Sequence, residues 1–437
     1  MNIKDNSRYS ATALHQKYPK TVDYILNQPL SDLQSKGLFT FPLSIQESVD
    51  LDQGAYILKS RGQDIWTTNY VGYMGMGDEN LSICSRFAGD GNQDFFFYYM
   101  IEKVLNIPTV LNQNTEADDH SVHLNIYMLI FPQYLHAALR KGLYKEYIIK
   151  RYNDMNIRGS LDISRHIKIS TPFRGNIAYS TREFSYNNPL MQLIRHTIEY
   201  MKEHTFGRSV LARYRPDLSP IIENTPGYHQ RDRQSIILTN QKKPVRHGYY
   251  REYRDLQRLC IAILTSQTPS LGRGEQQTHG ILFDCAWLWE EYINNLIRDR
   301  FHHPENKSGT GAHYLFDGSQ GKIYPDFISR TEPRRIADTK YKPQSNISGR
   351  DYQQLLAYMF RFGASQGYYI YPEQNRIESV KHMKLMQGVS YESTCTPRED
   401  IWVKKVPFYI PQNASTYQEF SEEMEQSALD FLATMTS

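Results

Sequence analysis

Two acids and a lysine within one short stretch carry the chemistry that this sequence can do. Residues 323–342, IYPDFISRTEPRRIADTKYK, read as two short strands joined by a turn at Thr331, Glu332 and Pro333. Asp326 sits on the first arm, and Asp338 and Lys340 on the second. Side chains alternate across a strand with period two, so Ile336, Asp338 and Lys340 share a face, and the hairpin brings Asp326 alongside. Paired carboxylates suit a hard divalent cation such as Mg²⁺, which prefers oxygen ligands and keeps several waters. The neighbouring Lys can then orient or deprotonate one of those waters.

Pro325-Asp326, eleven intervening residues and Asp338-Thr339-Lys340 resemble the PD-(D/E)xK nucleases. A bare match of this kind arises by chance, and an exposed hairpin with solvated charges is the plain alternative. The flanking elements strengthen it. Residues 287–297, WLWEEYINNLI, place apolar side chains at 288, 289, 292, 293, 296 and 297, the stripe of an amphipathic helix. The resemblance implies an extra acid on that helix, and the L-W-E-x-Y-I spacing selects Glu290 over Glu291; membership of a polar helix face is the alternative for either. Downstream, residues 350–362 read as a helix that sets Gln354 and Tyr358 four apart on one face. Such a Q-x-x-x-Y pair is implied to support the metal or DNA site, a core-facing Tyr being the alternative. Helix, PD strand, DxK strand and QxxxY helix occur in the order the resemblance requires.

The rest of the chain must position this site. Its 437 residues suggest two or three domains. A formal charge of +3 gives no global signature of nucleic-acid binding. Residues 321–350 nevertheless hold seven Lys or Arg against three acids, a local net of +4. The cysteines, Cys84, Cys260, Cys285 and Cys395, are too scattered for a zinc cluster or a disulfide framework. With no signal peptide and no apolar run of about 20 residues, a soluble cytoplasmic protein is expected. His302 and His303 read as a solvated loop, and no GxSxG elbow or Walker A motif is present. No nucleotide site is therefore expected in this chain.

From residue 56 the chain is β-rich, with Gly72, Gly75 and Gly77 read as turn residues between strands. Residues 94–105 read as an apolar helix, and 120–152 as a longer helical stretch begun or kinked at Pro132. Residues 157–169 alternate like a strand, 182–201 give a turn and a helix, 203–245 look like a connector, and 249–267 a further helix. The tail, 422–437, reads as a closing helix or a partner contact. The boundary is placed near 245, giving domains 1–245 and 246–437.

The order of YVGYMG, LSICSRF, RKGLYKEY, RGSLDI and EFSYNNPLMQLIRHTI resembles McrC, the nuclease subunit of McrBC-type modification-dependent restriction systems, over most of residues 55–370. Asn187-Asn188 and Cys84-Ser85-Arg86 depart from the pattern, at positions read as lying outside the nuclease site. The resemblance implies an α/β (α+β) chain: an N-terminal mixed β/helical domain docking on an McrB-like AAA+ GTPase ring, then a PD-(D/E)xK restriction-endonuclease-like domain. It implies DNA as substrate and Mg²⁺, or Mn²⁺, held by Asp326, Asp338 and Glu290. Lys340 acts on the water, and Gln354 and Tyr358 support the site. The rivals are a non-catalytic adaptor of an AAA+ partner and a stand-alone repair nuclease of the same fold.

Overall fold

The computed structural model describes residues 3–43, 55–76, 79–89, 94–107, 119–170, 172–265, 278–304, 312–376, 380–388 and 395–436. Helices and strands mix throughout, as the α/β class requires. The chain forms two compact units, one of residues 1–115 with 272–437 and one of 116–271.

The first unit begins with a five-stranded sheet in the order Ile3–Lys4, Glu79–Cys84, Tyr70–Met76, Thr278–Asp284, Phe39–Phe41. Short helices Ala11–Lys17, Pro19–Ile25 and Leu30–Ser35 contribute Leu14, Val22, Ile25, Leu30 and Leu33 to a core shared with Met74, Leu81 and Leu282 of that sheet. The strand Thr278–Asp284 comes from far along the chain, pairing antiparallel with Tyr70–Met76 and parallel with Phe39–Phe41. The polypeptide thus leaves this unit and returns to it. This division differs from the single cut expected near residue 245, because a sheet partner separated by so much sequence leaves no local trace.

Two glycines explain why the returning strand fits. Gly72 (φ +143°) would place a Cβ 2.2 Å from the Ile281 carbonyl oxygen, and Gly280 (φ +139°) would place one 2.3 Å from the Tyr73 oxygen. Only the absence of a side chain allows the backbones to approach so closely. Gly72 and Gly75 therefore lie inside a strand, not in the turns expected for them, while Gly77 lies outside the described residues.

Asp284 ends the returning strand and caps the next helix, Cys285–Ile297, accepting hydrogen bonds from the backbone N–H groups of Ala286 and Trp287. That helix leads to a six-stranded sheet in the order Phe301–His302, Phe327–Ser329, Arg335–Thr339, Gln366–Glu373, Thr396–Tyr409, Lys381–Gln387. Arg335–Thr339, Gln366–Glu373 and Thr396–Tyr409 are parallel. A parallel pair needs a crossover, and the helix Gly349–Phe362 supplies the one between Arg335–Thr339 and Gln366–Glu373. Its Leu355, Tyr358 and Met359 cover Ile336, Tyr369, Tyr371 and Val403. By period-two alternation Phe408 belongs to the opposite face, where it meets Trp289, Tyr292 and Phe431 of the C-terminal helix Tyr417–Thr436. The central strand is apolar on both faces because both are covered.

The second unit combines a three-stranded antiparallel sheet, Glu146–Asp154, Ile177–Ser185 and Ser160–Leu161, with a helical bundle. Pro189–Glu203, capped by Asn188, buries Leu190, Met191, Leu193, Ile194, Ile198 and Met201 within it. Three expectations change here. The helix Asp119–Leu139 contains Pro132, but residues 146–154, expected to continue a helical stretch, form a strand. Residues 157–169 hold a two-residue strand and the helix Ile163–Ile169. The expected connector 203–245 contains the helices Thr205–Leu211, Arg215–Glu223 and Arg233–Lys242. Proline misled the sequence reading because Pro216 occupies a first-turn position, where its missing N–H removes no helical bond. No described helix is long and apolar enough to cross a membrane.

Candidate active site

Phe327–Ser329 pairs antiparallel with Arg335–Thr339 in the register Phe327↔Ala337 and Ile328↔Ile336. One rung further along, that register sets Asp326 opposite Asp338, where facing Cβ atoms lie about 4.5–5.5 Å apart. Thr339 orients Asp326 by donating both its backbone N–H and its hydroxyl to Oδ2, each at 2.8 Å. Asp338 is 2% exposed. Its Oδ2 lies 2.5 Å from Lys340 Nζ, yet this buried oxygen has no partner in hydrogen-bonding geometry. Burial and the charge of Asp326 push the Asp338 carboxyl up to about 7, against the pull of Lys340. Burial works against the charge of Lys340, but Asp338 and Asp326 outweigh it and hold the ammonium above its ordinary range.

The crossover helix steadies the lysine. Lys340 Nζ donates to Gln354 Oε1 at 3.2 Å, and Gln354 Nε2 donates to the Tyr358 hydroxyl at 2.8 Å. Asp351 lies 3.9 Å from Lys340 Nζ and 2.7 Å from Lys342 Nζ, and closes a capping box with Ser348. Sequence reasoning passed over Asp351, although Ser348-x-x-Asp351 before an apolar run is a capping signal.

Glu290 is placed differently from the expectation. Its helix covers the opposite sheet face, and its Oε1 lies 3.6 Å from His303 Nε2, the same distance as Glu291 Oε1. The structure therefore gives neither acid precedence. His303 is no solvated-loop residue. It is largely buried, stacks on Phe327 at 4.9 Å, and places Nδ1 2.7 Å from the Asp326 carbonyl oxygen. Burial opposes its charge, but Glu291, the Asp326 carbonyl and Glu290 together raise it to about 9. His303 thus ties the acids of the helix to the backbone of Asp326. Adjacent histidines in a polar stretch gave no sign of this.

A divalent cation suits the paired aspartates. The buried Asp338 Oδ2 meets the Lys340 ammonium only outside hydrogen-bonding geometry, and Asp326 Oδ1 accepts no hydrogen bond among the described residues, which leaves carboxylate oxygens on facing residues for a second cation. As the side chains stand, no three His, Cys, Asp or Glu groups of the described residues form a metal cluster, so Glu290 does not join the two aspartates. Two carboxylates suffice for Mg²⁺, which keeps several waters.

Fold and site together define a mixed α/β protein with a buried acid–lysine pair beside a second acid on a hairpin. Residues 65–372 match the McrBC 5-methylcytosine restriction system component family. The chain belongs to that family and is a McrBC restriction subunit, as its resemblance to McrC anticipates. None of the curated proteins matches it. Among solved structures it is similar to a refined half-complex from a tetradecameric assembly of Thermococcus gammatolerans McrB AAA+ hexamers with bound McrC, at 14% identity and a TM-score of 0.42, over 98% of this chain and 99% of that one. It is also similar to the Thermococcus gammatolerans McrBC complex, at 14% identity and a TM-score of 0.28, over 68% of this chain and 87% of that one. Family membership rests on the sequence match.

Proposed function

We propose that this chain is the Mg²⁺-dependent DNA endonuclease subunit of a McrBC-type restriction system, working with and stimulating an McrB-like AAA+ GTPase that reads modified DNA. One observation carries this reading: the buried Asp338 carboxylate, set by register beside Asp326, contacts a lysine that is held in turn by Gln354. Asp326 and Asp338 would hold the ion. Bound there, Mg²⁺, or Mn²⁺, would supply a Lewis acid and lower the pKa of a bound water. Glu290 acts from one step further out, through His303 and the Asp326 backbone.

The chain's own groups do the rest. Thr339 fixes one oxygen of Asp326, leaving the other for coordination. Lys340 orients the attacking water and steadies the negative charge that develops on the phosphate, a role for which a preorganised cation is suited. Gln354 and Tyr358 keep its ammonium from swinging into solvent. The local excess of Lys and Arg over residues 321–350 suits a DNA backbone.

A partner of the kind implied by the McrC resemblance would supply motion and base recognition, a division of labour with which the missing Walker A motif is consistent. In the second unit Ile149, Met155, Ile163, Ile167, Phe173 and Phe184 are exposed, an apolar concentration that favours a protein contact. The test combines purified chain, an McrB-like GTPase, Mg²⁺, GTP and methylated plasmid. Cleavage that requires every component and disappears in Asp338→Ala and Lys340→Ala is expected. Cleavage surviving those substitutions would sink the assigned site. Full cleavage without a partner would favour the stand-alone nuclease, and GTPase stimulation without any cleavage the adaptor.

A further inference from the structure

We infer that Arg86 is a positioning residue for Lys340, acting through Tyr341; its catalytic consequence rests on the nuclease reading above. Arg86 was set apart from the site by the sequence, where it merely follows a strand of the N-terminal sheet. In the structure its guanidinium carbon lies 4.4 Å from the centre of the Tyr341 ring and 4.8 Å from that of Phe87. Its Nη1 donates to the Tyr341 carbonyl at 3.4 Å. Tyr341 is 7% exposed and immediately follows the lysine.

Arg86 is itself held from several sides. Its backbone N–H donates to Asp5 Oδ1 at 2.6 Å, and its carbonyl accepts from Gln374 Nε2 at 2.9 Å, just past the strand beside Arg335–Thr339. Phe87 meets Tyr341 edge-on at 6.3 Å and packs on Phe96 at 4.8 Å. The need for such a clamp is local. The DxK strand ends at Thr339, so Lys340 is the first residue beyond it; its N–H donates to the Ile370 carbonyl and its carbonyl accepts from the Lys342 N–H, each at 2.8 Å. The strand ladder ends at Thr339, and Tyr341 sits at the centre of the turn that the Lys342 N–H closes onto the Lys340 carbonyl, so a shift of Tyr341 would carry the lysine's backbone with it.

The chemistry of the clamp also points beyond packing. Arg86 Nη2 is buried without a hydrogen-bond partner, an arrangement that costs free energy and that an apolar side chain would avoid. What Arg provides in return is a planar cation that holds the ring face and the carbonyl of one residue together.

The test uses the full chain, with hydrogen exchange by mass spectrometry and cleavage kinetics with its partner. Arg86→Ala is expected to speed exchange in a peptide spanning 338–344 by about tenfold or more, leaving the N-terminal sheet peptides unchanged. It should lower kcat about 10- to 100-fold while KM for DNA stays within about twofold. Arg86→Lys, which returns a cation to the ring, should recover most of both. Tyr341→Leu should match Arg86→Ala, with no further loss in the double variant. Unchanged exchange in 338–344 overturns the inference whether or not DNA is cut. Exchange raised throughout the first unit, with a falling Tm, also overturns it by reducing Arg86 to a fold-holding residue. Should Arg86→Ala fail to fold, Arg86→Lys and Tyr341→Leu decide by the same criteria. Parent activity that does not depend on Asp338 defeats the nuclease reading instead, and the exchange result still decides on Arg86.

Discussion

Replacing Asp338 by Asn should give a protein that is more stable and inactive. Asp338 is 2% exposed, and burial with the Asp326 charge raises its carboxyl from an ordinary 3.8 to about 7. For an acid raised in the folded state, the stability it contributes is complete below pH 3.8 and is lost as pH rises through about 7. At about 1.4 kcal/mol per tenfold change in proton affinity, the ionised carboxylate costs the fold on the order of 4 kcal/mol above that range. Asn escapes this cost but takes from Lys340 its partner at 2.5 Å, leaving Gln354 at 3.2 Å and Asp351 at 3.9 Å. Losing one buried partner costs about 1–3 kcal/mol. The net gain should therefore be about 1–3 kcal/mol near pH 8.5, shrinking toward pH 5. All four tryptophans, Trp66, Trp287, Trp289 and Trp402, lie in the first unit, so their fluorescence during urea unfolding reports this unit directly. The measurement compares parent and Asp338→Asn in EDTA at both pH values. A gap that does not widen with pH, or a variant less stable than the parent near pH 8.5, refutes the reasoning. Adding Mg²⁺ should then stabilise the parent alone, by the mass action of a ligand that binds only the folded site.

Four further outcomes follow from the same geometry. His303 is raised from 6.5 to about 9, so its contribution is complete below pH 6.5 and lost as pH rises through 9; urea midpoints should fall across that window in the parent and stay flat in His303→Gln. Gly72→Ala should destabilise the first unit by about 3 kcal/mol or more, since its Cβ would meet a backbone oxygen at 2.2 Å. Gly62→Ala, at φ +63° with open space around it, should cost only about 1 kcal/mol by the same fluorescence measurement. Gln354→Ala frees the Lys340 ammonium and should lower kcat about tenfold with KM for DNA within about twofold, measured in the cleavage assay.

The site was legible where its geometry is local. Period-two alternation and a short turn fix the register of Asp326 and Asp338, and the four-residue spacing of Gln354 and Tyr358 fixes their hydrogen bond. What escaped the sequence depends on distant backbone. Glu290 meets His303 instead of joining the aspartates because its helix lies on the other side of the sheet, and nothing within WLWEEYINNLI encodes a side. Arg86 reaches Tyr341 across the join of two sheets. Residues 146–154, EYIIKRYND, carry apolar residues that fit a helical or a strand period, and pairing with Ile177–Ser185 decides the matter. The returning strand is the extreme case, since THGILFD acquires meaning only against Phe39–Phe41 and Tyr70–Met76.

That strand also sets an order of events on the ribosome. The N-terminal sheet lacks the strand between Tyr70–Met76 and Phe39–Phe41 until Thr278–Asp284 has been translated and has left the exit tunnel. At about 5–20 residues per second, the interval after Cys84 is roughly 10–40 s. The inserted unit, complete within 116–271, can finish folding inside that interval, so the portion of the chain made later in sequence becomes native earlier. Until then the edge of Tyr70–Met76 that pairs with Thr278–Asp284 in the folded protein has no strand to pair with, the kind of edge that favours association with other chains.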